Sequence, residues 1–196
     1  DEDIAMWKTR VFKEEELPER AQRATRLYQF HDSIDAYNKR AVAKIRNENQ
    51  ASAERAPFDI KSKAVDTFIG NLTKMKENQA RKALSNLKTR DAQNLPQEVE
   101  LVENVRYMIT TNINVQDGLF NGALGTLRHI EFTNQRAEAV YLEFDFEDIG
   151  RDARRERASL MQASNINPRW TPILRIKKNF NLLSKGEVTV CRSQYP

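Results

Sequence analysis

The chain has 196 residues, of which 39% are hydrophobic and 31% are charged, and its formal net charge is +4. These values suit a globular protein with a modest core, and they are compatible with a polyanionic partner without establishing one. One cysteine and two histidines exclude a disulfide framework and argue against a zinc site built from those residues. No apolar run approaches the ~20 residues needed to span a bilayer, so we expect no membrane partner. The chain does not begin with Met, and its last residue follows an apparent strand, so we expect it to be cut from a longer protein at both ends.

An α/β pattern begins in the N-terminal part of the chain. Thr25–Phe30 predicts a short buried strand, and an amphipathic helix is expected to follow and to end near Arg46. Phe30 and His31 lie in the polar corner between the two. Because ligands of α/β sheets bind beyond the carboxyl ends of strands, this corner is a candidate site.

The middle of the chain changes from a mixed pattern to alternation with a period of two residues. Pro57–Phe68 predicts one strand and Leu72–Leu87 predicts a helix. Further strands are expected at 99–101, 105–111, 125–132 and 137–144. Short strands with glycine-rich turns favour a small barrel over an open sheet. Asn104 is expected at a sharp bend, since asparagine tolerates the left-handed region.

The C-terminal part is expected to contain a polar helix and two strands. The helix is predicted at Ile149–Met161 and carries several arginines, so a solvated face and a phosphate-contacting patch both remain open. A turn-rich link is expected at Asn165–Pro172. The strands are predicted at Ile173–Phe180 and Val188–Pro196.

The most informative stretch is Leu101–Leu127, in which an alternating strand leads into a glycine-rich segment. Three of the six glycines of the chain lie between Asp117 and Gly125. Asn121-Gly122 predicts a tight turn, because both residue types tolerate positive φ. The stretch therefore reads either as a structural turn between two strands or as a ligand-contacting loop.

A complete active site is not visible in the sequence. There is no glycine-rich phosphate loop ending in Lys-Ser or Lys-Thr, no H-E-x-x-H motif and no nucleophile elbow. Asp66 and the carboxylates of Glu143–Asp148 are interpreted as solvated residues, and His129 and Cys191 as structural ones. No catalytic, cofactor-binding or metal-ligating residue is therefore assigned.

Three stretches together resemble the Pif-type DNA helicases, the RecD-related family that includes the helicases of Helitron transposons. LYQFHDSIDAYNKRAV (27–42) is similar to a strand–corner–helix motif of the family, and RSQYP (192–196) is similar to its Arg-x-Gln-Phe-Pro strand. LPQEVELVENVRYMITTNINVQDGLFNGALGTL (95–127) resembles the family's most distinctive segment. The matching residues of that segment are Pro96, Asn112, Gly118, Leu119, Asn121, Gly122 and Gly125.

The sequence also departs from the family pattern. Gln29, Phe30 and His31 replace Pro, Thr and Asn at the corner, which puts the usual hydrogen bonds of that corner in doubt. Asn104 stands where the family has glycine, and Tyr195 replaces Phe. The phosphate loop and the magnesium-binding carboxylates would lie upstream of this segment, and the His-Lys-Ser-Gln-Gly motif and arginine finger downstream of it.

The resemblance implies an α/β fold: part of a RecA-like P-loop NTPase motor domain with an inserted small SH3-like β-barrel. Residues 1–47 would belong to the second RecA-like domain, and 48–97 would be an insert with a strand and a helix. Residues 98–146 would form the SH3-like barrel, 147–169 a polar helical linker, and 170–196 the strands that return to the RecA-like domain.

The resemblance further implies the activity of the intact protein, an ATP-dependent 5′-to-3′ DNA helicase. ATP and Mg would be bound outside this segment, which should not hydrolyse ATP alone. The partner would be single-stranded or forked DNA. The compartment would be the nucleus, with the mitochondrion as the alternative. The processes would be DNA repair, recombination and telomere maintenance. The residues expected to contact DNA are Phe30, His31, Arg106, Tyr107, Asn112, Phe120, Asn121, Gly122 and Arg192.

Two other interpretations stay open. The chain could be a self-contained basic module that binds nucleic acid or protein, or a degenerate transposon remnant without activity. A phosphate loop upstream in the reading frame, with His-Lys-Ser-Gln-Gly downstream, would favour the helicase.

Overall fold

The computed structural model of the chain describes residues 31–52, 59–133, 136–182 and 188–196. The chain divides into two compact units, Asp1–Ala41 and Val42–Pro196. The predicted strand Thr25–Phe30 lies outside the described residues. Within them the chain is mixed α/β, as predicted from the sequence.

The first helix, α1, spans His31–Ser52 and is longer than predicted. Its last turns contain no glycine or proline, and they make long-range contacts. The Arg46 guanidinium donates to Glu100 Oε1 at 2.6 Å, and Asn49 Nδ2 donates to the Glu103 carbonyl at 2.7 Å. These contacts, which periodicity cannot reveal, hold the part of the helix beyond Arg46.

Nine strands lie in the described ranges and form three separate antiparallel sheets. The strands are β1 (Asp59–Lys63), β2 (Val65–Ile69), β3 (Glu98–Val102), β4 (Arg106–Met108), β5 (Leu124–Thr133), β6 (Arg136–Phe144), β7 (Thr171–Leu174), β8 (Ile176–Leu182) and β9 (Val188–Gln194). The first sheet is β1–β3, the second has the order β2–β9–β8, and the third has the order β4–β5–β6–β7.

The chain changes sheets at two single residues, where the sequence predicts one continuous strand each time. Ala64 separates β1 from β2, and its N–H donates to the Gln97 carbonyl at 2.8 Å. Arg175 separates β7 from β8. No glycine or proline stands at either position, so the break is set by the partner strands and not by a local signal.

The expected closed barrel is absent from the described strands. β4 has three residues and pairs only with β5, while β7 pairs only with β6, so the four-stranded sheet remains open. β3, which was expected in the barrel, pairs with β1 instead. The predicted strand 105–111 is correspondingly shorter, because the chain enters a loop after Met108.

Three further helices lie between the described strands: α2 (Lys74–Ser85) precedes β3, while α3 (Arg151–Glu156) and α4 (Ala158–Ala163) lie between β6 and β7. The α2 helix is confirmed, and the Thr73 hydroxyl caps it by accepting from the Lys76 N–H at 3.4 Å. A short 3-10 helix follows at Thr89–Ala92. The single helix predicted at Ile149–Met161 is broken at Arg157, whose guanidinium donates to Glu131 of β5 at 2.9 Å. No helix in the described ranges is both long and apolar enough to cross a membrane.

The largest apolar cluster lies beneath the four-stranded sheet and positions the loop that follows β4. Its buried members include Leu101, Ile109, Leu119, Leu127, Ile130, Val140 and Leu142. A second cluster packs α2 against β8 and β9, and a smaller one surrounds Tyr141 and Met161. Because Ile109 and Leu119 belong to the main cluster, the loop that contains them is anchored from below.

Candidate nucleic-acid interface

The loop Ile109–Ala123 connects β4 to β5 and is called the β4–β5 loop below. Its two ends are joined by backbone hydrogen bonds. The Ile109 N–H donates to the Ala123 carbonyl at 2.9 Å, and the Gly122 N–H donates to the Ile109 carbonyl at 2.8 Å. The loop therefore begins and ends at a fixed pair of strands.

The predicted tight turn is present at Phe120–Ala123. The Ala123 N–H donates to the Phe120 carbonyl at 3.0 Å, and Gly122 has a φ of 106°. Asn121 does not adopt positive φ, so the turn needs glycine at only one of the two positions. The Asn112 side-chain oxygen accepts from the Asn121 N–H at 2.8 Å, which brings two of the predicted site residues together.

A second turn in the loop was not expected from the sequence. The Asn114 side-chain oxygen accepts from the N–H groups of Gln116 and Asp117 at 3.2 and 3.3 Å, and Asn114 forms an isolated bridge with Leu119. Asparagine side chains commonly bond the backbone two residues on. The spacing Asn-x-x-Asp-Gly is the signal that could have identified this turn.

Asp117 is the only charged residue of the β4–β5 loop, and it is buried. Its two carboxylate oxygens accept from the N–H groups of Asp152 and Ala153 at 2.8 and 3.0 Å. The carboxylate thus satisfies orphan donors at the start of α3. The solvent-facing side of the loop consequently carries no charge.

That uncharged side presents one aromatic ring among amide and apolar groups. Phe120 is 44% exposed and Val115 is 63% exposed, while Asn112 and Asn121 are also exposed. An exposed aromatic ring next to fixed amide groups can stack on a base and bond its edge. It cannot supply the charge that holds phosphates.

Arg106 and Tyr107, in β4, have different surroundings. Arg106 is exposed and pairs with Asp145 at 2.6 Å. The Tyr107 hydroxyl accepts from the Val102 N–H at 2.9 Å and donates to the Glu100 carbonyl at 3.0 Å. Arg106 is therefore accessible to a ligand, whereas the Tyr107 hydroxyl ties β4 to β3.

Arg192 is buried, with 1% of its side chain exposed. Its guanidinium donates twice to the Asp66 carboxylate at 2.7 Å and once to the Leu95 carbonyl at 3.1 Å, and it lies 5.5 Å from the centre of the Phe180 ring. These contacts join β9, β2 and the segment before β3. The structure gives Arg192 and Asp66 a structural role that the sequence did not reveal, since they are far apart in the chain.

The two remaining predicted residues lie at the edge of the described ranges. Phe30 is outside them. His31 begins α1, but its side chain is not described. The corner that they were expected to form with the preceding strand therefore stays a prediction.

The residues present do not fit an ATP–magnesium site. The sequence has no phosphate loop, and within the described ranges no three His, Cys, Asp or Glu side chains lie close enough to hold a metal ion. The Asp66 carboxylate accepts a hydrogen bond from Arg192.

No protein-family model and no curated protein matches the chain. Among solved structures, it is similar to Pif1 from Candida albicans, with 17% identity, a TM-score of 0.43, and coverage of 82% of this chain and 32% of that one. It is also similar to Pif1 from Bacteroides sp in complex with ADP-AlF4, with 14% identity, a TM-score of 0.36, and coverage of 79% and 26%.

A third similar structure concerns DNA unwinding at forked double-stranded DNA by two coordinating Pif1 helicases. Its identity is 15%, its TM-score 0.36, and the coverage 79% of this chain and 25% of that one. The chain thus spans between a quarter and a third of the length of these helicases. At this identity the likeness concerns backbone arrangement alone.

Proposed function

We propose that this chain contacts single-stranded DNA as a segment of a helicase-like protein. The observation that carries the proposal is the exposed Phe120 ring beside Asn121, whose backbone is held by the Asn112 side chain. Aromatic platforms that stack on successive bases, together with basic residues, are what sequence-tolerant single-strand sites use. Arg106, the first residue of β4, which leads into the β4–β5 loop, is an exposed cation.

The sequence motifs support a more detailed version of this proposal. In it, 98–146 is the SH3-like insert and the flanking segments belong to the second RecA-like domain of a Pif-type helicase. The intact protein moves 5′ to 3′ along DNA in the nucleus and unwinds forks, with ATP and Mg bound outside this segment. The stretch 95–127, which carries the most specific motif, contains the whole β4–β5 loop.

The amide contribution is tested with Asn121→Ala. No hydrogen bond of the Asn121 side chain contributes to the turn, because the contact with Asn112 uses the Asn121 backbone. We expect Asn121→Ala to weaken binding of a labelled oligodeoxythymidine, measured by fluorescence anisotropy, more than it lowers the melting temperature. Asn78→Ala, at an exposed position of α2, is the control. If Asn121→Ala lowered stability and left binding intact, the turn would be structural only.

A second candidate is a self-contained basic binding module. It is favoured by the division of the chain, in which Val42–Pro196 is a compact unit. This candidate predicts that binding of the oligonucleotide needs nothing outside the chain and gains no specificity for forked DNA in the longer protein. Comparing fork and single-strand affinities in the two contexts separates the candidates.

A further inference from the structure

A groove with a volume of about 370 Å³ lies between β1 and the end of the β5–β6 hairpin. We call it the β1–β6 groove, and its lining includes Lys61, Lys63, Phe132, Arg136 and Arg175. Phe132 is partly buried and packs against the main apolar cluster, so it forms an apolar floor. Four of the ten lining residues are cations.

The cations of this groove are only partly compensated. In the β1–β3 pair, Glu98 lies opposite Lys63 and Glu100 lies opposite Lys61, and the charge of Glu138 acts on Arg175. In the part of the chain that the structure describes, Lys63, Arg136 and Arg175 have no carboxylate within ion-pair distance. Lys61 is 3.4 Å from Glu98 while 64% of its side chain stays exposed. Such exposed pairs are weak, so Lys61 remains available to another anion.

Arg175 is held in place by neutral acceptors only. Its guanidinium donates to the Ser62 hydroxyl and the Ser193 carbonyl, each at 3.1 Å, and to the Lys63 carbonyl. It also lies 5.4 Å from the centre of the Tyr195 ring. These contacts fix the side chain where the chain changes sheets, but they do not neutralise its positive charge.

Arg136 lies close enough to Arg175 for their charges to oppose each other. Burial, and then the charge of Arg136, lower the pKa of Arg175, and the opposing effect of Glu138 is smaller. Two like charges held near each other gain stability when an anion binds between them.

We infer that the β1–β6 groove binds the phosphodiester backbone of a single-stranded nucleic acid. Lys61 and Lys63 are alternate residues of one strand, so they lie on the same face about 7 Å apart. Four cations that line one groove suit a chain of phosphates better than one isolated phosphate group. This inference rests on the proposed function and adds the charge that the β4–β5 loop lacks.

The groove lies at the opposite end of the β5–β6 hairpin from the β4–β5 loop. Leu124, at the start of β5, follows the loop, and Phe132 is eight residues further along, or about 26 Å at strand geometry. A bound strand would therefore meet bases at the loop and phosphates at the groove. The two contacts can be removed separately.

The test is the salt dependence of binding to a labelled oligodeoxythymidine, with the double variant Lys63→Gln/Arg136→Gln. Both positions are exposed, so the fold should be retained, and the melting temperature checks this. Each phosphate contact contributes about 0.7 to the slope of log K against log salt for single strands. We expect the double variant to lower the slope by about 1.4 and to bind several-fold more weakly at low salt. The matched control is Lys74→Gln/Lys82→Gln on α2, which should change neither value.

If the wild-type chain binds the oligonucleotide and the double variant has the same slope, the groove proposal is overturned and the proposed function still stands. A wild-type chain that does not bind the oligonucleotide at low salt overturns both. A loss equal to that of the α2 control shows only the effect of net charge and also overturns the groove. If a phosphoserine peptide bound the wild type more tightly than the double variant, while oligonucleotide binding was equal in the two, the groove would be a protein site and the inference would be contradicted.

Discussion

Single residues of this chain divide into those whose role is local and those whose role depends on distant partners. Asn104 has a φ of 68° and Gly122 a φ of 106°, and both were predicted from residue type alone. The structural partners of Asp117 and Arg192 were not predicted, and the DNA contact expected of Arg192 stays a prediction. Those partners lie 35 and 126 positions away, and no local pattern in the sequence joins such pairs.

The Arg192–Asp66 pair should be essential for stability. Asp66→Asn would leave the buried Arg192 guanidinium without its counter-charge, and losses of about 3–5 kcal/mol are usual in this situation. Urea unfolding measures the change. The control is Asp91→Asn, which removes an exposed carboxylate that is 3.4 Å from Arg90 and should cost less than ~0.5 kcal/mol. Equal losses in the two variants would refute the structural role of the pair.

Tyr141 should make stability depend on alkaline pH. Burial, and then its hydrogen bond to Glu131, raise the pKa of Tyr141 from 10.0 to about 12. Between these two values the unfolded chain loses a proton that the folded chain keeps, so the free energy of unfolding falls as the pH rises. The contribution is fully present below pH 10. We expect Tyr141→Phe to reduce this fall by up to about 1.4 kcal/mol per pH unit in urea titrations, and an unchanged fall would contradict the raised pKa.

At the scale of elements, the sequence indicates where strands and helices lie but not where they end. The α2 helix was predicted because its apolar spacing and its cap are both local. The breaks at Ala64 and Arg175 were missed because neither position carries a glycine or proline that would mark them. Strand partners decide those breaks: β1 pairs with β3 whereas β2 pairs with β9.

The connection from β6 to α3 depends on glycine at position 150. Gly150 has a φ of 77°, and a Cβ there would lie 2.1 Å from Thr171 Cγ2. Thr171 is fully buried, and its hydroxyl is bonded to Arg154 and Ile149, so it cannot move aside. We expect Gly150→Ala to cost about 3 kcal/mol, from strain and overpacking together.

The control for this change is Gly122→Ala. Gly122 also has positive φ, but a Cβ there would meet nothing within 4 Å. Backbone strain alone should then cost about 1 kcal/mol. Thermal unfolding of both variants measures the difference, and similar melting temperatures would show that Thr171 yields to the added methyl group.

For the whole molecule, the sequence predicted the mixed α/β class but not the arrangement of its sheets. Periodicity identifies a strand, whereas closure of a barrel depends on which strand edges meet. Here β4 is short and β3 pairs elsewhere, so the described sheets stay open. The β4–β5 loop was anticipated by its glycines and asparagines, while the β1–β6 groove combines residues from distant strands and has no signature in the sequence.

The purified chain should release no phosphate from ATP. It lacks a phosphate loop, and hydrolysis in the proposed intact protein depends on residues outside it. A phosphate-release assay with and without oligodeoxythymidine measures this. Activity that survives repurification would show that the chain contains a nucleotide site of a different kind.

The proposed contact between DNA and the β4–β5 loop is tested most directly at Phe120. We expect Phe120→Ala to weaken binding of a labelled oligodeoxythymidine at least ~5-fold, since stacking on one base contributes about 1–3 kcal/mol. Phe120→Tyr keeps the aromatic face and should retain the affinity. Met75→Ala, which removes another exposed apolar side chain, should not change it. Equal affinities for wild type and Phe120→Ala, in proteins of equal stability, would contradict the proposal that this loop binds single-stranded DNA.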